Sequence, residues 1–531
     1  MRSVFPLMKG GNVPKNILIF SDGTGQAGGL TPDERISNIY KLYRATRVGP
    51  DSSIDPAEQL AYYDAGLGSK PPSGGIFATI FRMAHNFLSQ ATGFGLTTNI
   101  IDCYEMLIQL WRPGDRIFLF GFSRGAYTVR CLAGVLANCG IPTRLEGGAA
   151  MKYDEGTARR LGTIAVKEVY QHTASVPRNK ATPRQTELLD QRLVLAREFC
   201  ETYSSRQENT SEYPYFIGVF ETVASIASKG SLIVLAVLVL ASAAVFASIL
   251  WAFYPSIGIF VGPGLSGGLA RAADFIHFDP SLWWPWYAAV LAAISVVAFI
   301  WYVTQQVKFA PQADPKRPWR TLTIWFGRMS FDDKTLNDNV RYARHAISID
   351  ENRASFVRVG WGDPHSSRPE KDADGIFTFQ QYWFPGNHSD IGGSYPENES
   401  RLSDGSLSWM IEAAEAIKGG IKIDRSVLQP HPSAEGIQHD ERKVGFPVLT
   451  RLLRLTWQGR RRNIDDPQAP LHGSVYQRFA LPGVVEYDAM KAYRPEGLRR
   501  HERAADYYKD IPVPPEEKGV LGFIRSFFLT S

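Results

Sequence analysis

Cysteine is scarce. The 531 residues carry four (Cys103, Cys131, Cys139, Cys200), with no CxxC pair and no metal-like spacing. A disulfide framework and a cysteine-built zinc site are therefore excluded as organising devices, and synthesis in a reducing compartment is allowed. A surplus of one charge is also missing. Lys plus Arg number 58 against 53 Asp plus Glu, a net of +5, which is too small for this length to make nucleic acid an expected partner. The opening stretch MRSVFPLMKGGNVPKN has no apolar run long enough for a signal peptide, so export by the general secretory route is not expected. No repeat period is visible. Disorder is excluded by 44% hydrophobic against 21% charged residues. At about 150 residues per domain the length allows three or four units, and a single large α/β enzyme with insertions absorbs it equally well. The 12 Trp and the 12% aromatic share suit a lipid interface.

Two stretches stand apart from everything else. Residues 231–254 (SLIVLAVLVLASAAVFASILWAFY) and 283–303 (WWPWYAAVLAAISVVAFIWYV) carry no charge. As helices they reach roughly 36 Å and 31 Å, enough to cross a bilayer. Trp and Tyr sit at their ends, as an aromatic belt requires. The expectation is an inserted transmembrane hairpin spanning 229–308. Lys229, Lys308, Lys316, Arg317 and Arg320 flank it, so the bulk of the chain is placed on one side of the membrane, the cytoplasmic one. For a protein delivered from outside, the membrane concerned is that of the target cell.

The rest reads as a parallel α/β protein. Residues 15–21 (KNILIFS) form a buried strand running into the Gly-rich loop DGTGQAGG. Residues 94–110 show helical spacing and stop at Arg112-Pro113-Gly114. DRIFLFG (115–121) is a second buried strand, and 124–138 is helical with Gly140 at its end. A polar helical insert is expected over 142–212, then a strand at 215–220 (YFIGVF). Residues 321–326 and 355–360 are weaker strand candidates, 375–383 a better one, and 404–417 a helix. From about 420 the chain is basic and irregular. The expected division is a catalytic domain over 14–420, interrupted by the two insertions, and a basic extension over 421–531 packed on it.

Gly121-Phe122-Ser123-Arg124-Gly125 is the sharpest local signal. It is GxSxG between a strand and a helix, the context this motif needs. The chain must turn sharply there, so small residues two before and two after Ser123 avoid clashes. The turn exposes the hydroxyl at the sheet's C-terminal edge, and the helix N-terminus aims backbone N–H groups at the reacting carbonyl. One oxyanion donor is the Arg124 N–H. The other is sought in the early loop, at Gly23 or Thr24, with the Asp22 carboxylate holding that loop. A phosphate-binding turn is the weaker reading of DGTG, since no Lys follows at Walker spacing and no GxGxxG is complete.

In this motif's chain order an acid and then a histidine follow the serine. Glu221 ends the strand YFIGVF and is the candidate acid. His388, in the loop PGNHSDIGG after FQQYWF, is the candidate base. Asp390 lies two residues on, and either replaces Glu221 or holds the loop. His472 is the alternative base, and His345, amid helical-looking neighbours, reads as a buried structural histidine. His388 would take the Ser123 proton while Glu221 holds its other nitrogen, giving an acyl-enzyme that water cleaves. No metal or organic cofactor is required.

With FSDGTG, GFSRGA, GVFETVAS and WFPGNHSDIGGSY in this order, the chain resembles the catalytic domain of type VI secretion phospholipase effectors, the first family of such lipases. The resemblance implies an α/β-hydrolase-like fold, a mainly parallel sheet flanked by helices, that cleaves acyl esters of glycerophospholipids. It implies a triad at Ser123, Glu221 and His388, with Glu221 standing where the family usually has Asp. The implied partners are membrane phospholipid as substrate, the lipid bilayer, and a secretion spike or an immunity protein. Two alternatives belong to other classes: a catalytically silent membrane scaffold or sensor on a hydrolase fold, and an esterase for small soluble esters.

Overall fold

The computed structural model describes residues 14–23, 26, 28, 36–66, 94–174, 176–203, 212–223, 307–324, 336–353, 356–361, 370–441, 462–487 and 489–512. Its centre is a six-stranded sheet built from β1 (Asn16–Ser21), β2 (Gln59–Asp64), β3 (Arg116–Phe122), β4 (Pro214–Phe220), β7 (Tyr342–Ser348) and β8 (Phe379–Phe384). β5 (Val307–Lys308) and β6 (Thr323–Ile324) pair apart from it. The strand order is β2-β1-β3-β4-β7-β8 and every pairing is parallel.

Successive residues of a strand face opposite sides of a sheet, and both sides are covered here. Ile17, Ile19, Ile117, Leu119, Ile217 and Val219 join one core with helices α2 (Phe94–Leu110), α3 (Arg124–Cys139), α4 (Glu155–Thr163) and α5 (Pro183–Tyr203). Leu18, Phe20, Phe118, Phe120, Phe216 and Phe220 join the other, under α1 (Asn38–Thr46) and α7 (Arg401–Ala416). The second face carries a run of rings, with Phe20 stacked on Phe120 at 5.1 Å and Phe120 against Phe216 at 5.5 Å. Double burial explains why β1 and β3 read as unbroken apolar runs instead of alternating ones. A third, smaller core joins Ile347, Ile349 and Trp383 to residues from 464 to 508, including Val475 and Phe479 of α8 (Gly473–Ala480).

The chain passes from β1 to β2 on one side and to β3 on the other, so the strand order reverses between β1 and β3. In open parallel sheets the crevice at the carboxyl ends of such strands is the place for a ligand. Here it lies between the loop after Ser21 and the turn at Ser123.

The inserted transmembrane hairpin is corrected. Among the described residues no helix is long and apolar enough to cross a membrane, and the two uncharged stretches, 231–254 and 283–303, lie outside them. The longest helix among the described residues, α5, spans 21 residues but carries Arg184, Glu187, Asp190, Arg192, Arg197, Glu198 and Glu201. It buries one stripe against the first core, as an amphipathic helix does. The fold class is α/β with a mainly parallel sheet, and the localisation to a membrane through two spanning helices is corrected with it.

Two smaller expectations also change. His345 lies on β7, in a fully buried strand, and not on a helix. Residues 356–360, the described part of the 355–360 candidate, form no strand; Arg358 makes only an isolated bridge to Val223.

Candidate active site

Ser123 occupies the turn between β3 and α3 with φ 57° and ψ −117°. A positive φ at a non-glycine residue stores strain of roughly 1–3 kcal/mol and is kept only where the surroundings enforce it. The surroundings do so through the two motif glycines. A Cβ at Gly125 would stand 2.0 Å from the Ser21 carbonyl oxygen, and one at Gly121 would stand 2.5 Å from the Gly125 oxygen. The backbones of β1, β3 and α3 meet there too closely for any side chain. The Ser123 N–H donates to the Phe220 oxygen at 3.0 Å, tying the turn to the end of β4. Serine is a favoured N-cap, and its hydroxyl usually accepts from the first helical turn. Ser123 makes no such side-chain bond, which leaves its hydroxyl available for chemistry.

Glu221 follows β4 directly, with φ 44° and no exposed surface. Its Oε2 meets His388 Nδ1 at 3.3 Å. Its Oε1 accepts from the Ser348 N–H at 2.5 Å and from Arg462 Nη1 at 2.7 Å. Burial pushes the carboxyl toward neutrality, but the Arg462 charge and the His388 contact outweigh it and hold Glu221 well below the usual carboxylate range. His388 opens the one-turn helix α6 (His388–Gly392) and is 4% exposed. Its ring lies between Phe122 at 4.8 Å and Phe356 at 5.1 Å. Phe122 immediately precedes Ser123, so the imidazole is packed against the residue next to the serine. With Nδ1 on Glu221, Nε2 is the ring nitrogen that Glu221 does not engage.

The early loop also reaches the serine. A Cβ at Gly23 would lie 3.4 Å from Ser123 Cβ. The Gly23 N–H, however, donates to Asp22 Oδ1 at 2.7 Å. Asp22 also accepts from the Ser37 hydroxyl at 2.5 Å and from the Tyr63 hydroxyl at 2.7 Å, so it braces the loop. Thr24 lies outside the described residues. The Arg124 N–H is at the first position of α3, where backbone donors have no partner within the helix.

Asp390 serves the histidine loop. Its Oδ2 accepts from the Asn387 N–H at 3.0 Å while Asn387 Oδ1 accepts from the Ser389 and Asp390 N–H groups, a closed capping box. Its Oδ1 meets His439 Nδ1 at 2.8 Å, and His439 Nε2 meets Glu399 Oε2 at 3.1 Å. His472 is the N-cap of α8. It accepts from the Ser474 N–H and stacks on Phe384 at 4.3 Å. Burial lowers its pKa to about 4. His345 is fixed by Gln381 at 3.0 Å, and burial lowers its pKa to about 3.

Sequence reasoning missed three contributors. Arg462 sits in the run GRRRN, which by composition looks like solvated charge. His439 has no motif around it. The third is Glu351, which accepts from the His388 N–H at 3.2 Å and is clamped by Arg353. Among the described residues no group of three or more His, Cys, Asp or Glu is arranged to hold a metal ion.

A parallel α/β sheet with a strained serine between strand and helix defines the class. The chain belongs to the family of type VI secretion phospholipase effectors, Tle1-like, catalytic domain, whose model matches residues 15–244 and 305–413. It is 25% identical over 455 residues to the uncharacterized protein YEL023C of Saccharomyces cerevisiae, covering 77% of this chain and 58% of the yeast protein. The chain thus spans under two thirds of that relative. Among solved structures, an uncharacterized protein from Pseudomonas aeruginosa is 14% identical, with 77% of this chain and 46% of that one covered and a TM-score of 0.32. The Tle1 effector bound to the VgrG spike of the type 6 secretion system is 13% identical, with 73% and 52% covered and a TM-score of 0.27. TM-scores this low do not define a shared architecture.

Proposed function

We propose that this chain is a serine esterase of the phospholipase A type, hydrolysing acyl esters of glycerophospholipids. Ser123 is the nucleophile, His388 the general base and Glu221 the acid that orients it. The observation that carries the reading is the contact between His388 Nδ1 and Glu221 Oε2, made beside the strained Ser123 turn. The family supports the substrate class and delivery as a type VI secretion effector.

The chemistry follows from the geometry. His388 Nε2 accepts the hydroxyl proton as Ser123 Oγ adds to the acyl carbonyl. The imidazolium forms against the ionised Glu221, which keeps it in place. The tetrahedral oxyanion lies at the N-terminus of α3, with the Arg124 N–H as one donor. The second donor is the Gly23 N–H once it turns from Asp22. Collapse expels the lysophospholipid alcohol, which takes the proton from His388. Water, deprotonated by the same imidazole, then cleaves the acyl-enzyme to a free fatty acid.

Incubation with defined diacyl phospholipids tests this. The wild type is expected to release one fatty acid and one lysophospholipid per turnover, and Ser123→Ala to release neither. Equal release by both proteins would end the reading. Turnover of short-chain soluble esters alone would move the substrate class to small esters.

A further inference from the structure

The Glu221 carboxylate has three hydrogen-bond donors, and one of them comes from outside the matched family region. That region ends at residue 413. Arg462 lies beyond it, yet its Nη1 reaches Glu221 Oε1 at 2.7 Å and the Ser348 oxygen at 2.9 Å, and its Nη2 reaches the Phe356 oxygen at 3.4 Å. The Arg462 side chain is 8% exposed and that of Glu221 0%. The guanidinium is therefore fixed between the acid and the carbonyl of Phe356, whose ring borders His388. Within one carboxylate the two oxygens are rigidly linked. Fixing Oε1 on Arg462 and the Ser348 N–H sets where Oε2 points, and it points to His388 Nδ1.

We infer that Arg462 is a positioning residue for the hydrolysis proposed above, holding Glu221 ionised and oriented toward His388. The inference rests on that reading of the triad. It also makes the chain beyond 413 part of the working site.

Other charges face the pair as well. Arg358 and His345 lie near Glu221, and Asp465 lies near Arg358. Glu351 accepts from the His388 N–H and is paired with Arg353 through two bonds of 2.8 Å. Arg353 also faces Glu441 at 3.7 Å, so this cluster brings no net positive charge to His388. Arg462 is the cation in direct contact with the Glu221 carboxylate. Removing its charge lets the acid–imidazole pair hold its proton more tightly. A base must be unprotonated, so the acidic limb of the rate profile moves to higher pH.

The test uses the full chain, a soluble short-chain ester, and Arg462→Met, Arg462→Gln and Arg462→Lys, each with its thermal unfolding midpoint. Arg462→Met is expected to lose kcat on the order of tenfold to a hundredfold with KM little changed, a smaller loss than the roughly 10⁴-fold of a damaged triad acid. Its acidic limb shifts upward. Arg462→Lys keeps the charge and restores the limb, but it lacks the forked second bond and recovers kcat only in part. Where Arg462→Met does not fold, Arg462→Gln is read in its place. A folded Met or Gln variant with wild-type kcat and an unmoved limb overturns the inference, as does a change confined to KM. A fluorophosphonate probe separates the two levels. If wild-type Ser123 labels while the Arg462 variants behave as wild type, only this inference fails. If Ser123 does not label, the triad reading fails and takes this inference with it.

Discussion

A left-handed backbone at a serine needs an outside force, and the two glycines of GFSRGA show what it is. The Gly125 Cα lies so near the Ser21 carbonyl that a methyl group has nowhere to go. Gly125→Ala is therefore expected to destabilise the fold by about 3 kcal/mol or more, at the upper end of overpacking costs, with a lowered thermal midpoint as the readout. This much was legible in the sequence, because steric necessity leaves a fixed pattern of small residues around a fixed turn. The position of Glu221 was legible for a similar reason: it directly follows a strand whose neighbour runs into Ser123. Its support was not. Glu221→Gln keeps the size of the side chain but removes the charge that, in the proposed mechanism, stabilises the imidazolium. It is expected to lower kcat by roughly 10⁴-fold, measured on an ester substrate with KM reported separately. Arg462, which holds that charge, carries no local signature, since a buried arginine and a solvated one look alike in a basic run.

Among the elements, α6 has only five residues and cannot stand on propensity. It persists because Asn387 and Asp390 close a capping box, and because His439 anchors Asp390 from a distant segment. The box is visible in the sequence as NHSD, but the anchor depends on tertiary placement. Burial opposes charge on His439, but the Asp390 and Glu399 carboxylates outweigh it and raise the pKa. A histidine raised by folding stabilises the native state fully below its unfolded pKa, about 6.5. That contribution is lost as pH rises through the higher folded value. His439→Ala is accordingly expected to cost about 3 kcal/mol at pH 6, since Asp390 loses its partner in a buried site. The deficit in urea midpoint is expected to shrink toward pH 9. Other elements misled for identifiable reasons. β7 looked helical because a strand buried on both faces does not alternate. β2 (QLAYYD) and α1 went unread, one being a short edge strand and the other only nine residues long.

At the scale of the whole molecule, residues beyond 420 complete the body of the protein. Pro470 and His472 exchange backbone bonds with Trp383, covering the outer edge of β8. Their apolar residues bury Ile347, Ile349 and Trp383. A chain ending at 420 uncovers that edge and that patch and removes Arg462. It is expected to aggregate and to lose esterase activity, readable by size-exclusion chromatography and ester turnover. The sequence leaves the individual elements of this segment unassigned, because it is built of short pieces with no long period. The sheet itself was legible, since parallel strands buried on both sides leave apolar runs that few other structures produce. The central claim concerns one oxygen atom and is best tested by labelling with a fluorophosphonate, followed by peptide mapping of wild type and His388→Ala. The account predicts a single adduct on Ser123 in the wild type and its near absence in His388→Ala. An adduct on another residue, or equal labelling of both proteins, would contradict it.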